Sequence, residues 1–129
     1  MAQASRPLSP HLGIYRWYLT MALSIAHRVT GAGLTVGLLL LAWWLLALAG
    51  GPESFATVQA VMDNIFGGLI LFGFTAFLFY HSLNGVRHLV WDTGRNLDKT
   101  AARNSGIMVL GATAFLTVLT WILIIIVGG

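Results

Sequence analysis

Two histidines and an aspartate share one side of a short stretch near the end of an apolar run. At helical spacing His81, Gly85, His88 and Asp92 fall at i, i+4, i+7 and i+11, which places them on one face of a helix. Imidazole is a common metal ligand, and carboxylate and imidazole groups both exchange protons. The residue types therefore suit metal ligation, proton transfer or binding of a polar group.

A second polar cluster lies earlier in the chain, where Ser24, His27, Arg28 and Gly31 occupy i, i+3, i+4 and i+7. Both clusters sit at the ends of apolar runs. Ionisable groups at membrane depth cost about 2.5 to 3.5 kcal/mol each on insertion scales, so they tend to face a bundle interior, a cavity or a bound group. We predict that the two clusters meet across a helix pair and form a functional site.

The composition is that of a small integral membrane protein: 57% of the 129 residues are hydrophobic and only 9% are charged. No cysteine is present. Disulfides, a thiolate-bound iron–sulfur cluster in this chain and covalent c-type haem are therefore excluded. The net charge of +3 is typical of the loops of a membrane protein, and we expect no nucleic-acid partner.

Three apolar runs predict an all-α fold with three transmembrane helices in an up-down bundle, because a helix crosses the hydrocarbon core with about 20 residues. The spans are predicted at about 23–49, 63–92 and 106–128, with a short amphipathic piece before the second. Residues 1–22 are predicted to be an interfacial segment, since their prolines, arginines and aromatic rings suit the headgroup level. We expect this segment to be retained, because it does not resemble a cleavable signal peptide.

Basic residues set the orientation. Three of the seven basic residues lie before or at the start of span one: Arg6, Arg16 and Arg28. The other four lie between the end of span two and the start of span three: Arg87, Arg95, Lys99 and Arg103. The loop that carries Glu53 and Asp63 has no basic residue. By the positive-inside bias the N-terminus is cytoplasmic and the C-terminus is outside.

His81 is predicted to be the deepest histidine, because it precedes Asp92 by 11 positions, or about 16 Å of helix. His27 and His88 are expected nearer the interface. Two interpretations stay open for His81: a hydrogen bond to a neighbouring helix, or axial ligation of a non-covalent b-type haem. Gly85 would leave room for the flat macrocycle.

The surrounding polar groups favour ligation, because haem propionates need cationic or hydrogen-bonding partners. His27, Arg28, Arg87 and His88 lie on the correct side to supply them. A second axial ligand is not found at the depth of His81, so we expect a partner subunit to provide it.

Small and aromatic residues suggest how the helices pack. Gly33 and Gly37 predict a small-xxx-small face for close helix packing, and the alternative is a glycine pair by chance in an apolar span. The second span carries four phenylalanines that we expect to contact lipid or a partner: Phe72, Phe74, Phe77 and Phe79.

Three motifs together resemble the cytochrome b subunit of succinate dehydrogenase. They are Arg6-Pro-Leu-Ser-Pro-His-Leu-Gly-Ile-Tyr15, Ser24-Ile-Ala-His-Arg-Val-Thr-Gly31 and His81-Ser-Leu-Asn-Gly-Val-Arg-His-Leu-Val-Trp-Asp92, which occur in order over nearly the whole chain. The resemblance implies a membrane anchor for a flavoprotein and an iron–sulfur subunit. It also implies a second three-helix anchor, one haem b shared between the anchors, and a ubiquinone site near the iron–sulfur subunit.

The resemblance also implies roles for single residues. His81 would be the haem iron ligand, opposite a histidine of the partner anchor, and His27, Arg28 and His88 would surround the propionates. Ser24 would donate a hydrogen bond to a quinone carbonyl.

At the same quinone site, Arg28 would stabilise reduced forms by its charge. Asp92 would assist proton delivery or hold Arg28 or Arg87. The simpler alternative is that Asp92 is a helix-end carboxylate paired with a neighbouring arginine.

In such a complex succinate is oxidised on another subunit, and electrons reach quinone through the iron–sulfur subunit. We expect a bacterial inner membrane rather than a mitochondrial one, with the C-terminus periplasmic. Two alternatives remain. In the first, the chain is the anchor of a fumarate reductase or of a haem-free quinone reductase, and His81 is structural. In the second, it is a non-redox membrane module whose histidines carry protons.

Overall fold

A computed structural model describes residues 16–128, and these residues form four α-helices. They are α1 (Leu19–Ala49), α2 (Pro52–Met62), α3 (Ile65–Asp92) and α4 (Lys99–Gly128), with no strand among the described residues. By length and composition α1, α3 and α4 can each cross a membrane. The predicted all-α class with three transmembrane helices is confirmed. Most of the predicted interfacial segment lies outside the described residues.

The long helices extend beyond the uncharged runs. α1 begins at Leu19 and α4 at Lys99, ahead of the predicted starts near 23 and 106. The side chain of Asp98 accepts a hydrogen bond from the backbone N–H of Ala101, and its carbonyl accepts from Ala102. This cap starts α4 within the charged loop, because capping a helix needs a polar acceptor rather than an apolar run.

The amphipathic piece predicted around 55–63 is the separate helix α2, which begins at Pro52, where the missing N–H of proline costs no hydrogen bond. Asn64 then caps α3, since its side-chain oxygen accepts from the N–H groups of Phe66 and Gly67. α2 is anchored by Val58, which is fully buried.

The three long helices run up and down, with α3 packed against both α1 and α4. α1 and α3 are antiparallel, because Gly31 lies beside His81 and Gly37 lies beside Phe74. The buried core is small and takes one residue from each long helix: Leu23, Tyr80 and Val109.

Two phenylalanine rings of α3 pack against Gly33 and Gly37 of α1. A Cβ atom at Gly33 would lie 2.5 Å from the Phe77 ring, and one at Gly37 would lie 2.9 Å from the Phe74 ring. The small-xxx-small prediction is confirmed. Phe74 and Phe77 are half-buried and also pack on α1, because the missing glycine side chains leave space for their rings; that they contact lipid or a partner stays a prediction.

Most of the remaining surface is apolar. Large side chains such as Leu39, Leu46, Ile65 and Phe66 are each at least 68% exposed. A soluble monomer rarely exposes apolar surface on this scale, so lipid or other membrane helices cover it.

Candidate functional site

The two polar clusters meet between α1 and α3, at the end of the bundle where α1 begins and α3 ends; we call it the basic end. The Nδ1 atom of His81 lies 3.1 Å from the carbonyl oxygen of His27 and 3.2 Å from the Thr30 hydroxyl. The Thr30 hydroxyl in turn donates to the same carbonyl over 3.0 Å. The predicted meeting of the clusters is confirmed.

These contacts indicate which nitrogen carries the proton when the His81 ring is neutral. A carbonyl oxygen only accepts hydrogen bonds, so Nδ1 carries the proton and donates it to His27 or Thr30. The lone pair is then on Nε2, which has no hydrogen-bond partner among residues 16–128. A histidine that ligates metal has this arrangement, with one nitrogen donating to a carbonyl and the other free to bind.

Two glycines shape the surroundings of His81. A Cβ atom at Gly31 would lie only 3.0 Å from Cε1 of the ring, so the imidazole rests directly on the backbone of α1. A Cβ atom at Gly85 would meet no described atom within 4 Å. Open space therefore adjoins His81 on its own face of α3, as a flat ligand requires.

The three described histidines form one column of stacked rings. The centroids of His27 and His81 are 3.9 Å apart with planes 6° from parallel, and those of His27 and His88 are 5.2 Å apart. Nδ1 of His88 lies 2.7 Å from the Asn84 carbonyl, to which it donates. Within residues 16–128 no three metal-binding side chains converge on a point that could hold a bare metal ion.

The expectation that no other histidine lies at a depth comparable to His81 is wrong for His27, because the two rings are in contact. His27 lies eight positions after Leu19, where α1 begins, and His81 lies eleven before Asp92, where α3 ends. The difference is about 4.5 Å at 1.5 Å per residue, which is comparable to the width of a ring. Nδ1 of His27 is buried and has no hydrogen-bond partner among the described residues.

The residues assigned to a quinone do not bind one another. Ser24 is half-buried, whereas Arg28 and Asp92 are exposed. Within residues 16–128 none of the three side chains makes a hydrogen bond or ion pair. Asp92 is the last residue of α3 and is therefore a helix-end carboxylate, as the alternative predicted, but no arginine pairs with it within residues 16–128.

Arg87 points away from the histidines, toward α4. Nε donates to the Ser105 hydroxyl over 2.9 Å, Nη1 to Oδ1 of Asn84 over 3.1 Å and Nη2 to the Ala102 carbonyl over 2.8 Å. The expectation that Arg87 lies near haem propionates is wrong. Six positions after His81 correspond to about 240° around a helix of 3.6 residues per turn, which leads to another face.

Sequence reasoning missed Thr30 and Tyr80. Thr30 is buried beside His81, and the Tyr80 hydroxyl donates to the Leu23 carbonyl and ties α3 to α1. Thr30 follows His27 by three positions, so helical spacing already placed it on the same face. Nothing in the local pattern marked Tyr80, whose partner is a backbone carbonyl on another helix.

Comparison with known proteins adds a family match over residues 2–120, to the succinate dehydrogenase/fumarate reductase transmembrane subunit family. The succinate dehydrogenase cytochrome b556 subunit of Paracoccus denitrificans is 40% identical, over 93% of this chain and 92% of that protein. The mitochondrial cytochrome b560 subunit of Sus scrofa is 42% identical, over 89% of this chain and 69% of that protein. The b556 subunit of Rickettsia felis is 35% identical, over 91% of each.

Proposed function

The chain belongs to the succinate dehydrogenase/fumarate reductase transmembrane subunit family, and on that premise we propose that it is the cytochrome b membrane anchor of a succinate:ubiquinone oxidoreductase. Its relatives are named as cytochrome b subunits of succinate dehydrogenase in bacteria and in mitochondria. Three apolar helices suit an anchor, and they take up most of the described residues. A flavoprotein and an iron–sulfur subunit would carry out succinate oxidation.

The observation that carries the cofactor assignment is the hydrogen bonding of His81. Nδ1 is committed to α1, which leaves the Nε2 lone pair for the iron of haem b. The open space beside Gly85 suits a flat macrocycle. A haem bound there would accept and release one electron at a time.

A second anchor subunit supplies the other axial ligand in this proposal. Two ligands on opposite sides of one haem need the macrocycle between them. The rings of His27 and His81 are parallel and in contact, at 3.9 Å between centroids, which leaves no such space. His27 is therefore not the opposite ligand of His81.

The remaining histidines and Arg28 are proposed to surround the haem propionates. Nδ1 of His27 lacks a partner within the described chain, and His88 extends the ring column toward the basic end. Arg28 adds an exposed positive charge one position after His27. Charge-assisted hydrogen bonds from these groups suit carboxylates at the membrane surface.

The quinone site is proposed to include Ser24, Arg28 and Asp92. Reduction of ubiquinone takes up two electrons and two protons, so the site needs polar donors reachable from water. Ser24 would donate a hydrogen bond to a carbonyl oxygen, and Arg28 would stabilise the negative charge that develops there. Asp92 is exposed and would pass protons from water.

The basic end is proposed to face the cytoplasm of a bacterium, with the C-terminus in the periplasm, because Arg95 lies in the exposed loop between α3 and α4 and the exposed Lys99 begins α4. The iron–sulfur subunit would dock at this end, close to Ser24 and Arg28. Electrons would then reach quinone at the membrane edge.

Fumarate reduction stays a second candidate, because the family description covers both enzymes. The two are distinguished by the favoured direction of turnover in the assembled complex. The family match argues against a non-redox transport module.

Purification tests the proposal. The chain, tagged and extracted from its own membranes in mild detergent, should co-elute with a flavoprotein, an iron–sulfur protein and a second three-helix subunit. The eluate should show a b-type spectrum on reduction with dithionite and should reduce ubiquinone with succinate. Elution of the chain alone and colourless would contradict the proposal.

A further inference from the structure

A groove between α3 and α4 lies on a different side of α3 from the histidine column. Its volume is about 240 Å³. It runs about 12 Å along α3, from Leu83 to Trp91 at 1.5 Å per residue, and is walled on α4 from Ser105 to Ala112. None of the residues assigned to haem or quinone lines it.

Arg87, in the wall of the groove, carries a buried positive charge without a counter-ion. The side chain is 6% exposed, and no carboxylate lies within 4 Å of its guanidinium among residues 16–128. A buried cation is costly unless its charge is balanced.

The neighbours of Arg87 satisfy its hydrogen bonds only in part. The acceptors on Asn84, Ala102 and Ser105 are neutral and use three of the five N–H donors of the guanidinium. Two donors remain, and the guanidinium carbon lies 4.0 Å from the centroid of the Trp91 ring, a cation–π contact that offsets only part of the charge. Among residues 16–128 no anion balances the rest.

The lining of the groove changes from polar to apolar with depth. Arg87, Trp91, Asn96 and Ser105 lie at the basic end, where tryptophan and arginine suit the headgroup level. Val86 and Val90 line the groove beside Arg87, and only apolar side chains line the part that lies deeper in the bundle: Leu83, Met108, Val109 and Ala112. An occupant that matches both parts has an anionic head and a hydrocarbon tail.

We propose that the α3–α4 groove binds one phospholipid with an anionic headgroup, its phosphate against Arg87 and one acyl chain along Val86, Val109 and Ala112. Opposite charge selects the head, and the apolar walls hold the tail. The bound lipid would balance the charge of Arg87 and fill the space between the two helices.

A matched pair of substitutions on α4 tests the site in the assembled complex. Ala112→Trp fills the groove and breaks no hydrogen bond, whereas Ala114→Trp adds the same ring on an exposed face outside the groove. Native mass spectrometry of each detergent-purified complex counts the phospholipids retained. Wild type and Ala114→Trp should retain one phospholipid per chain that Ala112→Trp loses.

Headgroup selectivity is the second measurement. Delipidated wild-type complex should bind phosphatidylglycerol about fivefold more tightly than phosphatidylcholine, the ratio expected from one basic residue near the membrane surface. Arg87→Gln should bring the two affinities together. If the Arg87→Gln complex does not assemble, the two tryptophan variants still show whether the groove holds a phospholipid.

Three results would overturn the site. Retention of the lipid by Ala112→Trp would show that the groove is empty or covered by protein. Equal loss from both tryptophan variants would show non-specific delipidation. Equal affinity of wild type for the two lipids would remove the role of the Arg87 charge.

Discussion

The imidazole rings of His27 and His81 stack face to face, 3.9 Å apart and within 6° of parallel, across the interface of α1 and α3. The backbone carbonyl of His27 lies 3.1 Å from Nδ1 of His81, so one residue both covers the ring and accepts its hydrogen bond. α1 thereby fixes the orientation of the ring and leaves Nε2 as its free nitrogen. The stack also prevents His27 from being the opposite ligand.

Thr30→Val removes the hydroxyl beside Nδ1 of His81 while keeping the branched shape of the side chain. Acceptors on that proton raise the basicity of the ligand, and losing such a partner typically weakens binding about 10- to 100-fold. Because the His27 carbonyl remains in this variant, we expect an effect at or below the lower end of that range. We expect less haem per flavin in the purified complex and a more positive haem midpoint potential. Thr30→Ser keeps the hydroxyl and should behave as wild type. Equal effects of valine and serine would mean that packing, not the hydrogen bond, is involved.

Gly31→Ala places a methyl group 3.0 Å from Cε1 of His81. The ring or the facing backbone must shift by a few tenths of an ångström, so the absorption and electron paramagnetic resonance spectra of the haem should change. Gly73→Ala is the matched control, because a Cβ atom there meets no described atom within 4 Å. If the two variants give the same spectra, the ring is not seated on Gly31.

Gly33→Ala should destabilise the complex by about 1 to 3 kcal/mol, the usual cost of overpacking. The added Cβ atom would lie 2.5 Å from the Phe77 ring, which is held between α1 and α3. Gly68→Ala, with open space around it, should be neutral or slightly stabilising. Thermal inactivation of the detergent-solubilised complex measures both, and equal midpoints would contradict the close packing.

Ser24→Ala and Arg28→Ala should slow succinate:ubiquinone turnover while succinate oxidation with a soluble dye continues. Loss of a hydrogen bond to a charged group costs about 1.5 to 3 kcal/mol, so Arg28→Ala should reduce the quinone rate by about 10- to 100-fold. Ser82→Ala and Arg95→Ala, on exposed positions outside the site, are the controls. Parallel loss of both activities would point to failed assembly rather than to the quinone site.

The sequence predicted the fold well, because long uncharged runs and one-sided basic residues report membrane crossings directly. Helical spacing also predicted that Ser24 to Gly31 and His81 to Asp92 form two polar faces that meet. Helix starts were less accurate, since a cap such as Asp98 lies outside the hydrophobic pattern.

Side-chain direction was the part that the sequence did not specify. Counting residues along each helix predicted that His27 lies at a different membrane depth from His81, yet their rings are in contact. Arg87 was grouped with the histidines by its charge and position, but hydrogen-bond acceptors on α4 draw it to another face. The direction of these side chains depends on how two helices pack. The packing in turn depends on residues of the facing helix, such as Gly31 and Ser105.

The central claim is that His81 binds the iron of a b-type haem, and a reduced-minus-oxidised spectrum of the intact complex tests it most directly. His81→Ala should abolish or strongly reduce the b-type signal in membranes that still contain the assembled subunits. His11→Ala, in the N-terminal segment outside the described residues, should leave the signal unchanged. A full haem signal in His81→Ala, or equal losses in the two variants, would contradict the assignment.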